Sequence, residues 1–172
     1  MDKSTLRQRF RRYRSNAPYH ALAISDLESK CKNITHIATY LPIQNEIDTI
    51  PFIEWALSQS KHIYIPRPDA TGTSYNIAKI TNLTTDLVEG PYNIKVPHPD
   101  CAGYDPNKIQ LWIVPGFAFT ENGVRLGQGG GHYDRLLANT PGRKVGVAHR
   151  CQRSDTLPQD KWDVPVNTVL FY

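Results

Sequence analysis

A glycine-rich stretch over residues 115–134 constrains the fold of this chain more than any other segment. It follows a short apolar run, Leu111–Val114, which is typical of a buried strand, and a helix is predicted to begin at Tyr133. Gly127 and the triplet Gly129–Gly131 fill the turn between them. The order strand, glycine-rich loop and helix directs backbone N–H groups and the positive helix end to one point. It therefore predicts a site for an anion such as phosphate.

Two familiar nucleotide-binding loops do not fit this stretch. No Gly-Lys-Ser/Thr sequence follows the glycines, which excludes a Walker A loop. His132 breaks the Gly-x-Gly-x-x-Gly spacing of the dinucleotide fingerprint, which would also lie near the start of a Rossmann domain. Taken alone, the glycines leave open a plainer alternative, a tight turn between strand and helix that binds nothing.

Composition and length predict one globular domain over residues 1–172. The chain is 40% hydrophobic and 21% charged, which suits a packed core and argues against disorder. No apolar run approaches the roughly 18 residues of a membrane helix, and we expect no signal peptide at the N-terminus. Cys31, Cys101 and Cys151 form no CxxC pair, so we expect reduced thiols and a cytoplasmic location.

The charge pattern favours small anionic ligands. The formal net charge is +4, with one arginine cluster over residues 7–14. Such a cluster also fits a nucleic-acid backbone, although it lacks the interleaved aromatic residues of a single-strand platform. We expect small-molecule substrates, a monomer, and neither a membrane nor a nucleic-acid partner.

Hydrophobic periodicity predicts alternating helices and strands. The predicted helices are Lys3–Tyr13, about Pro18–Lys30, about Pro51–Ser60, and Tyr133 to about Asn139. The predicted strands are Ile34–Leu41, His62–Pro66, Tyr75–Ile80, Leu111–Val114, Lys144–Ala148 and Thr168–Phe171. Residues 85–90 are a short strand or a turn, and residues 92–99 are extended over the sheet edge. This alternation predicts a three-layer α/β/α fold with a mainly parallel sheet.

The loop after the first predicted strand is a second candidate for ligand contacts, because open α/β sheets bind ligands at the carboxyl ends of their strands. It carries Glu46, Asp48 and Thr49. Asp48 and Thr49 are favoured as caps of the next helix. Glu46 precedes any cap position, so a cap explains it poorly.

The string Arg-Leu-Gly-x-Gly-Gly-Gly-x-Tyr-Asp over residues 125–134 resembles the signature of the 5-formyltetrahydrofolate cyclo-ligase family. The resemblance extends along the whole chain. Further family motifs are matched in order by Lys3 and Arg7, by Glu46 and Thr49, by Gly146, Ala148 and Gln152, and by Asp163 before a Val-Pro segment.

The resemblance implies an enzyme that uses ATP and Mg²⁺ to close 5-formyltetrahydrofolate to its 5,10-methenyl form, with release of ADP and phosphate. It implies catalytic roles for Arg125 and Tyr133, folate contacts for Glu46 and Thr49, and Mg²⁺ ligands in Asp134 and Asp163. The ATP-binding residues that it implies are Lys3, Arg7, Arg125, Gly127, Gln128, Gly129, Gly130, Gly131, His132 and Tyr133.

Some positions depart from the family pattern. His132 stands where an aromatic residue is usual, Trp162 where histidine is frequent, and Val96 where a glutamate usually precedes the proline. The missing carboxylate leaves a diverged paralogue that binds nucleotide without cyclising folate as one alternative. A nucleic-acid-binding module on the same fold is the other.

Overall fold

The computed structural model describes residues 1–69 and 74–172 of the chain. The helices of this part are α1 (Lys3–Ser15), α2 (Ile24–Cys31), α3 (Ile50–Ser58) and α4 (His132–Leu137). The strands are β1 (His36–Ala38), β2 (His62–Pro68), β3 (Tyr75–Ile80), β4 (Leu87–Glu89), β5 (Lys95–Pro97), β6 (Gly103–Tyr104), β7 (Leu111–Val114), β8 (Ala118–Phe119), β9 (Arg125–Leu126), β10 (Arg143–Ala148) and β11 (Thr168–Phe171).

Within the described residues a seven-stranded sheet forms the centre of the fold, in the order β11-β10-β7-β1-β2-β3-β6. The pairs from β11 to β2 are parallel, and β3 and β6 add an antiparallel edge. Two-stranded ribbons, β4 with β5 and β8 with β9, lie outside this sheet. The prediction of a mainly parallel α/β sheet is confirmed.

Apolar side chains cover both faces of the sheet, which agrees with the central strand β7 being apolar and buried along its whole length. On one face Phe52 and Ile53 of α3 pack with Leu27 of α2. On the other face Leu136 and Leu137 of α4 pack over the central strands. The apolar stripe of α1 packs on the β8–β9 ribbon in a smaller cluster of its own. This arrangement gives the expected helix–sheet–helix layers.

The second helix begins later than the sequence predicts. It was expected from about Pro18, yet α2 starts at Ile24. The segment before it is extended because the amide of Leu22 donates to Asp48 O at 2.8 Å and the amide of Asp48 donates to His20 O at 2.9 Å. These contacts join segments distant in sequence, so local propensity could not reveal them.

Residues 92–99 are only partly extended. A short 3₁₀ turn, Pro91–Asn93, precedes β5, and β5 pairs with β4 rather than with the main sheet. The resulting hairpin packs against β2. This places Ile94 and Val96 over the carboxyl half of β2, beside the cavity described next.

Candidate active site

One cavity of about 300 Å³ opens at the carboxyl ends of the parallel strands. Residues Tyr40 and Leu41 after β1, Ile65 and Pro66 of β2, and residues 115–116 after β7 line it. The glycine loop, defined as residues 127–131, closes another side. The position agrees with the usual ligand site of open α/β sheets.

The glycine loop presents unpaired backbone amides. Among the described residues, no acceptor is bonded to the amides of residues 127–131. Gly131 has φ +65° as the residue before α4, and Gly129 has φ +105°, conformations that side chains disfavour. Free amides in a loop that lines a cavity are potential donors for an anion.

Two cations of α1 reach this loop region, since Lys3 and Arg7 are one helical turn apart. Arg7 Nε donates to Gly127 O at 2.8 Å. A Cβ on Gly129 would lie 3.3 Å from Arg7 Cζ, so the guanidinium rests directly on the loop. Lys3 Nζ pairs with Asp160 at 2.7 Å and also with Asp163. The loop and both cations line the same cavity.

Arg125 lies below the loop with only 6% of its surface exposed. Its Nη2 donates to Asp134 Oδ1 at 2.8 Å, and its Cζ lies 5.6 Å from the Tyr133 ring centroid. Its Nε has no partner among the described residues. A Cβ on Gly127 would lie 2.7 Å from Arg125 Nη1, so glycine is the residue that admits this guanidinium.

The two aspartates expected to hold Mg²⁺ both line the cavity and both already accept hydrogen bonds. Asp134 Oδ1 accepts from Arg125 and from the amide of Val164 at 3.1 Å. Asp163 Oδ2 accepts from Lys3 and from the amide of Asp160 at 2.7 Å. Burial alone would raise the pKa of Asp163, but these donors outweigh it and lower that pKa.

This donor set fits a metal ion carried by a nucleotide. Within the described residues no group of three or more His, Cys, Asp or Glu side chains could enclose a metal. Mg²⁺, however, usually takes one or two carboxylates and completes its shell with phosphate oxygens and water. The second oxygens of Asp134 and Asp163 can serve in that way.

The opposite side of the cavity is apolar, with one buried carboxylate. Its lining, called here the apolar wall, consists of Tyr40, Leu41, Ile43, Ile65, Tyr75, Ile94 and Val96. The carboxylate is Glu46, whose Oε1 accepts from Arg14 Nη1 at 2.9 Å and whose Oε2 accepts from the Ile43 amide at 3.2 Å. Burial raises the pKa of Glu46, and the Arg14 guanidinium opposes that rise.

The other expected side chains of the glycine-rich stretch also border the cavity. Tyr133 lies between its polar and apolar sides, and burial raises the pKa of its phenol, which therefore stays protonated. Burial lowers the pKa of His132, whose Nδ1 lies 3.0 Å from Arg135 Nη2. The His132 ring packs on Tyr75 with centroids 4.4 Å apart, and Gln128 belongs to the lining as well.

Thr49 does not join this group. It is fully buried, lies outside the cavity lining, and its hydroxyl donates to Tyr40 O at 2.7 Å. Thr49 is the N-cap residue of α3 but makes no side-chain capping bond, and the carboxylate of Asp48 before it accepts from the Ile50 amide at 2.9 Å. Thr49 holds the loop after β1 in place, and the structure argues against the direct folate contact expected of it.

Gly146 and Gln152 of the family motif near the end of the chain have structural roles. Gln152 Nε2 donates to the carbonyl oxygens of Gly116 at 2.8 Å and Phe117 at 3.0 Å, which fixes the loop after β7. A Cβ on Gly146 would lie 2.7 Å from the Phe119 ring, so packing explains this glycine. Gln152 thus supports the loop after β7, and that loop lines the cavity.

Several cavity residues escaped sequence reasoning. Tyr40, Tyr75 and Asp160 are brought to the cavity by tertiary contacts, and the Val164 amide reaches Asp134 from outside the lining. Trp162 is 63% exposed at the cavity, where a large apolar side chain on a loop was the available signal. Arg14 gave no such signal, since the sequence presents it as one more cation of the arginine cluster over residues 7–14.

Comparison with known proteins agrees with this geometry. The model of the 5-formyltetrahydrofolate cyclo-ligase family matches residues 2–172. The Escherichia coli K12 5-formyltetrahydrofolate cyclo-ligase is 36% identical over 141 residues, covering 78% of this chain and 76% of the relative. The corresponding Haemophilus influenzae protein is 32% identical over 155 residues, covering 88% and 81%.

Comparison with a solved structure indicates the same family. The 5,10-methenyltetrahydrofolate synthetase of Aquifex aeolicus superimposes with a TM-score of 0.79 at 30% identity, over 99% of this chain and 90% of that one. Fold, motif order and sequence identity therefore agree along the whole length. The chain belongs to the 5-formyltetrahydrofolate cyclo-ligase family of enzymes.

Proposed function

We propose that this enzyme uses ATP and Mg²⁺ to convert 5-formyltetrahydrofolate to 5,10-methenyltetrahydrofolate, releasing ADP and phosphate. The observation that carries the proposal is the pairing of two unlike surfaces in one cavity. Unpaired amides and cations on one side suit a triphosphate, and an apolar wall with one buried carboxylate suits a flat heterocycle that carries N–H donors.

The chemistry needs an activated oxygen. The formyl oxygen is a poor leaving group, so the γ-phosphoryl group of ATP is first transferred to it and ADP is formed. The N10 lone pair then attacks the formyl carbon, the bond between that carbon and the phosphorylated oxygen breaks, and phosphate leaves. N10 loses its proton to solvent, which balances the ring closure.

Phosphoryl transfer depends mainly on positioning and charge neutralisation. The amides of the glycine loop and the Arg7 guanidinium would hold the terminal phosphates. Arg125, buried and preorganised by Asp134, would stabilise the charge that develops on the transferred group. The neutral phenol of Tyr133 would donate a hydrogen bond beside it.

Asp134 and Asp163 would hold Mg²⁺ through their second carboxylate oxygens. When bound, the ion neutralises phosphate charge and orients the terminal phosphate. Lys3, which pairs with Asp163, would also donate to a phosphate oxygen.

A direct assay tests the proposal. Purified protein is mixed with 5-formyltetrahydrofolate, Mg²⁺ and ATP, and the long-wavelength absorbance of methenyltetrahydrofolate is followed. We expect a rise that requires all three ligands, with one ADP formed per methenyl product. Absence of product at high enzyme concentration would refute the proposal.

One observation favours a second candidate, a paralogue that binds nucleotide without cyclising folate. Val96 lines the cavity where a carboxylate is usual in the family. Saturable ATP binding, seen for example through the fluorescence of the exposed Trp162, together with no methenyl product would support it. Wild-type turnover would exclude it.

The nucleic-acid alternative loses support from the arrangement of the arginine cluster. Arg7 contacts the glycine loop and Arg14 is buried, so the cluster does not form a continuous surface. Arg9, Arg11 and Arg12 remain exposed. Tight RNA binding at physiological salt would restore this alternative.

We further propose that the partners are small molecules and that the protein acts as a monomer in the cytoplasm. Within the described residues, no helix reaches the length and apolarity required to cross a membrane. Size-exclusion chromatography with light scattering checks the monomer, and a larger particle would contradict it.

A further inference from the structure

Arg14 is a buried cation, and within residues 1–69 and 74–172 its one ionic partner is the carboxylate of the apolar wall, Glu46. It stands in the last turn of α1, is 1% exposed, and pairs through Nη1 with Glu46 Oε1 at 2.9 Å. Lys3 and Arg7 of the same helix line the cavity, whereas Arg14 lies behind it and Glu46 reaches it. Arg14 can therefore influence a ligand through Glu46.

Further contacts join the end of α1 to the loop that carries Glu46. Asn45 Nδ2 donates to the carbonyl oxygens of Arg14 at 2.7 Å and of Ala17 at 2.8 Å. The guanidinium also lies over the Phe117 ring, with Arg14 Cζ 4.8 Å from its centroid. The end of α1 and the Ile43 amide thus fix the position of the Glu46 carboxylate together.

Fold stability alone does not explain this pair. Arg14 Nε and Nη2 are buried and have no acceptor among the described residues. Unpaired buried donors are unfavourable, and a buried ion pair is often no more stabilising than apolar residues of the same volume. The Arg14–Glu46 pair therefore adds little stability, yet its carboxylate lines the cavity. This combination points to a role in ligand binding.

We propose that Arg14 is a positioning residue, which holds Glu46 as an ionised carboxylate turned toward the folate side of the cavity. The inference rests on the proposed function. A carboxylate accepts hydrogen bonds from the N–H groups of a reduced pterin, whereas a carboxylic acid presents one donor of its own. Helix α1 would then serve both substrates, with Lys3 and Arg7 on the triphosphate and Arg14 acting on folate through Glu46.

The surroundings of Glu46 determine the sign of its pH dependence. Besides Arg14, the ionisable groups that face it are the phenols of Tyr40 and Tyr133, and His149 lies behind Asn45, bonded to its carbonyl at 2.9 Å. Burial raises the pKa of Glu46 and Arg14 opposes this. Without the guanidinium the pKa of the Glu46 carboxyl group would be higher. As the pH falls, activity would therefore be lost at a higher pH than in the wild-type enzyme.

The test compares three variants in the methenyltetrahydrofolate assay across pH. For Arg14→Met we expect kcat/KM for the folate to fall about 100-fold, as for other small misplacements of a binding group, with an unchanged Kd for ATP. The acidic limb of the pH–rate profile should move to higher pH. Arg14→Lys keeps the charge, so the limb should stay near its wild-type position. Arg12→Met, an exposed arginine of the same helix turn, should behave as wild type.

A stability measurement separates positioning from a structural role. We expect the double variant Arg14→Met/Glu46→Gln to unfold at the same denaturant concentration as wild type, or higher, while folate affinity is lost. Equal falls in ATP and folate affinity, or an acidic limb that does not move in Arg14→Met, would overturn the inference. An inactive wild-type enzyme would instead refute the proposed function.

Discussion

The two sides of the cavity are built in opposite ways. The polar side takes most of its groups from one short segment, residues 125–134, and much of its recognition is backbone. The apolar wall collects side chains from β2, β3, β5 and the loop after β1. A backbone cradle requires particular glycines at fixed spacing, so it leaves a contiguous signature. An apolar wall requires volume and shape, which several residue types can supply.

This difference explains where the chain departs from its family. On the polar side, the side chains of His132 and Trp162 depart from the family pattern, and both line the cavity. On the apolar wall the usual carboxylate is replaced by Val96, which changes the chemistry of that position. Residue types can therefore change where side chains recognise the ligand, whereas backbone recognition requires the same glycines.

Arg125→Met should have the largest effect, because it removes the most buried cation of the polar side and leaves Asp134 without its ionic partner. We expect kcat/KM for ATP to fall about 1000-fold, the upper range for loss of one preorganised charge-stabilising donor. Steady-state kinetics with each substrate varied in turn measure it.

The matched control for Arg125 is Arg153→Met. Arg153 also contacts a carboxylate, Glu121, at 2.9 Å, but that pair is exposed and lies outside the cavity. We expect this variant to keep wild-type rates. A fall confined to folate affinity in Arg125→Met would show that Arg125 belongs to the other side.

Gly129→Ala should have the next largest effect. Its φ of +105° is unfavourable for alanine, and the new Cβ would lie 3.3 Å from Arg7 Cζ. We expect about a 100-fold loss in kcat/KM for ATP, typical of a misplaced binding group, with folate affinity unchanged.

Gly103→Ala provides the comparison for Gly129, because its added Cβ would meet nothing closer than 4.0 Å. Both variants should remain folded by circular dichroism. A normal ATP affinity in Gly129→Ala would mean that the glycine loop is only a turn.

Asp163→Asn tests the metal assignment. We expect the Mg²⁺ concentration for half-maximal rate to rise about 10-fold, the lower range for weakened metal sites. Asp160→Asn keeps Asp163 intact while removing the other carboxylate that pairs with Lys3, and it should change the Mg²⁺ dependence less. An unchanged Mg²⁺ requirement in Asp163→Asn would leave Asp163 as a partner of Lys3 alone.

Val96→Glu should have the smallest effect and addresses the apolar wall directly. A carboxylate there could accept from the N–H groups of a reduced pterin, so we expect KM for the folate to fall severalfold, by up to about 10-fold. Val96→Gln is the neutral control of similar size. A change in ATP affinity would contradict the separation of the two sides.

Much of the fold followed from periodicity. The prediction of strand Thr168–Phe171 is confirmed residue for residue, as is that of Tyr75–Ile80, because each alternates or runs apolar between clear breaks. The start of α2 could not be predicted, since the backbone of Asp48 bonds to Leu22 and to His20 and holds the preceding segment extended. Nothing local encodes a bond to a loop 26 positions away.

The sequence by itself determined the polar side of the site and the mainly parallel sheet that presents it. A glycine loop after a buried strand and before a helix works through local backbone geometry, which neighbouring residues specify. Only the tertiary structure decided that Arg14 is buried beneath Glu46 and that Thr49 bonds to Tyr40 instead of facing the cavity. Burial and ion pairing depend on what other segments bring to the same place, and spacing along the chain does not contain that information.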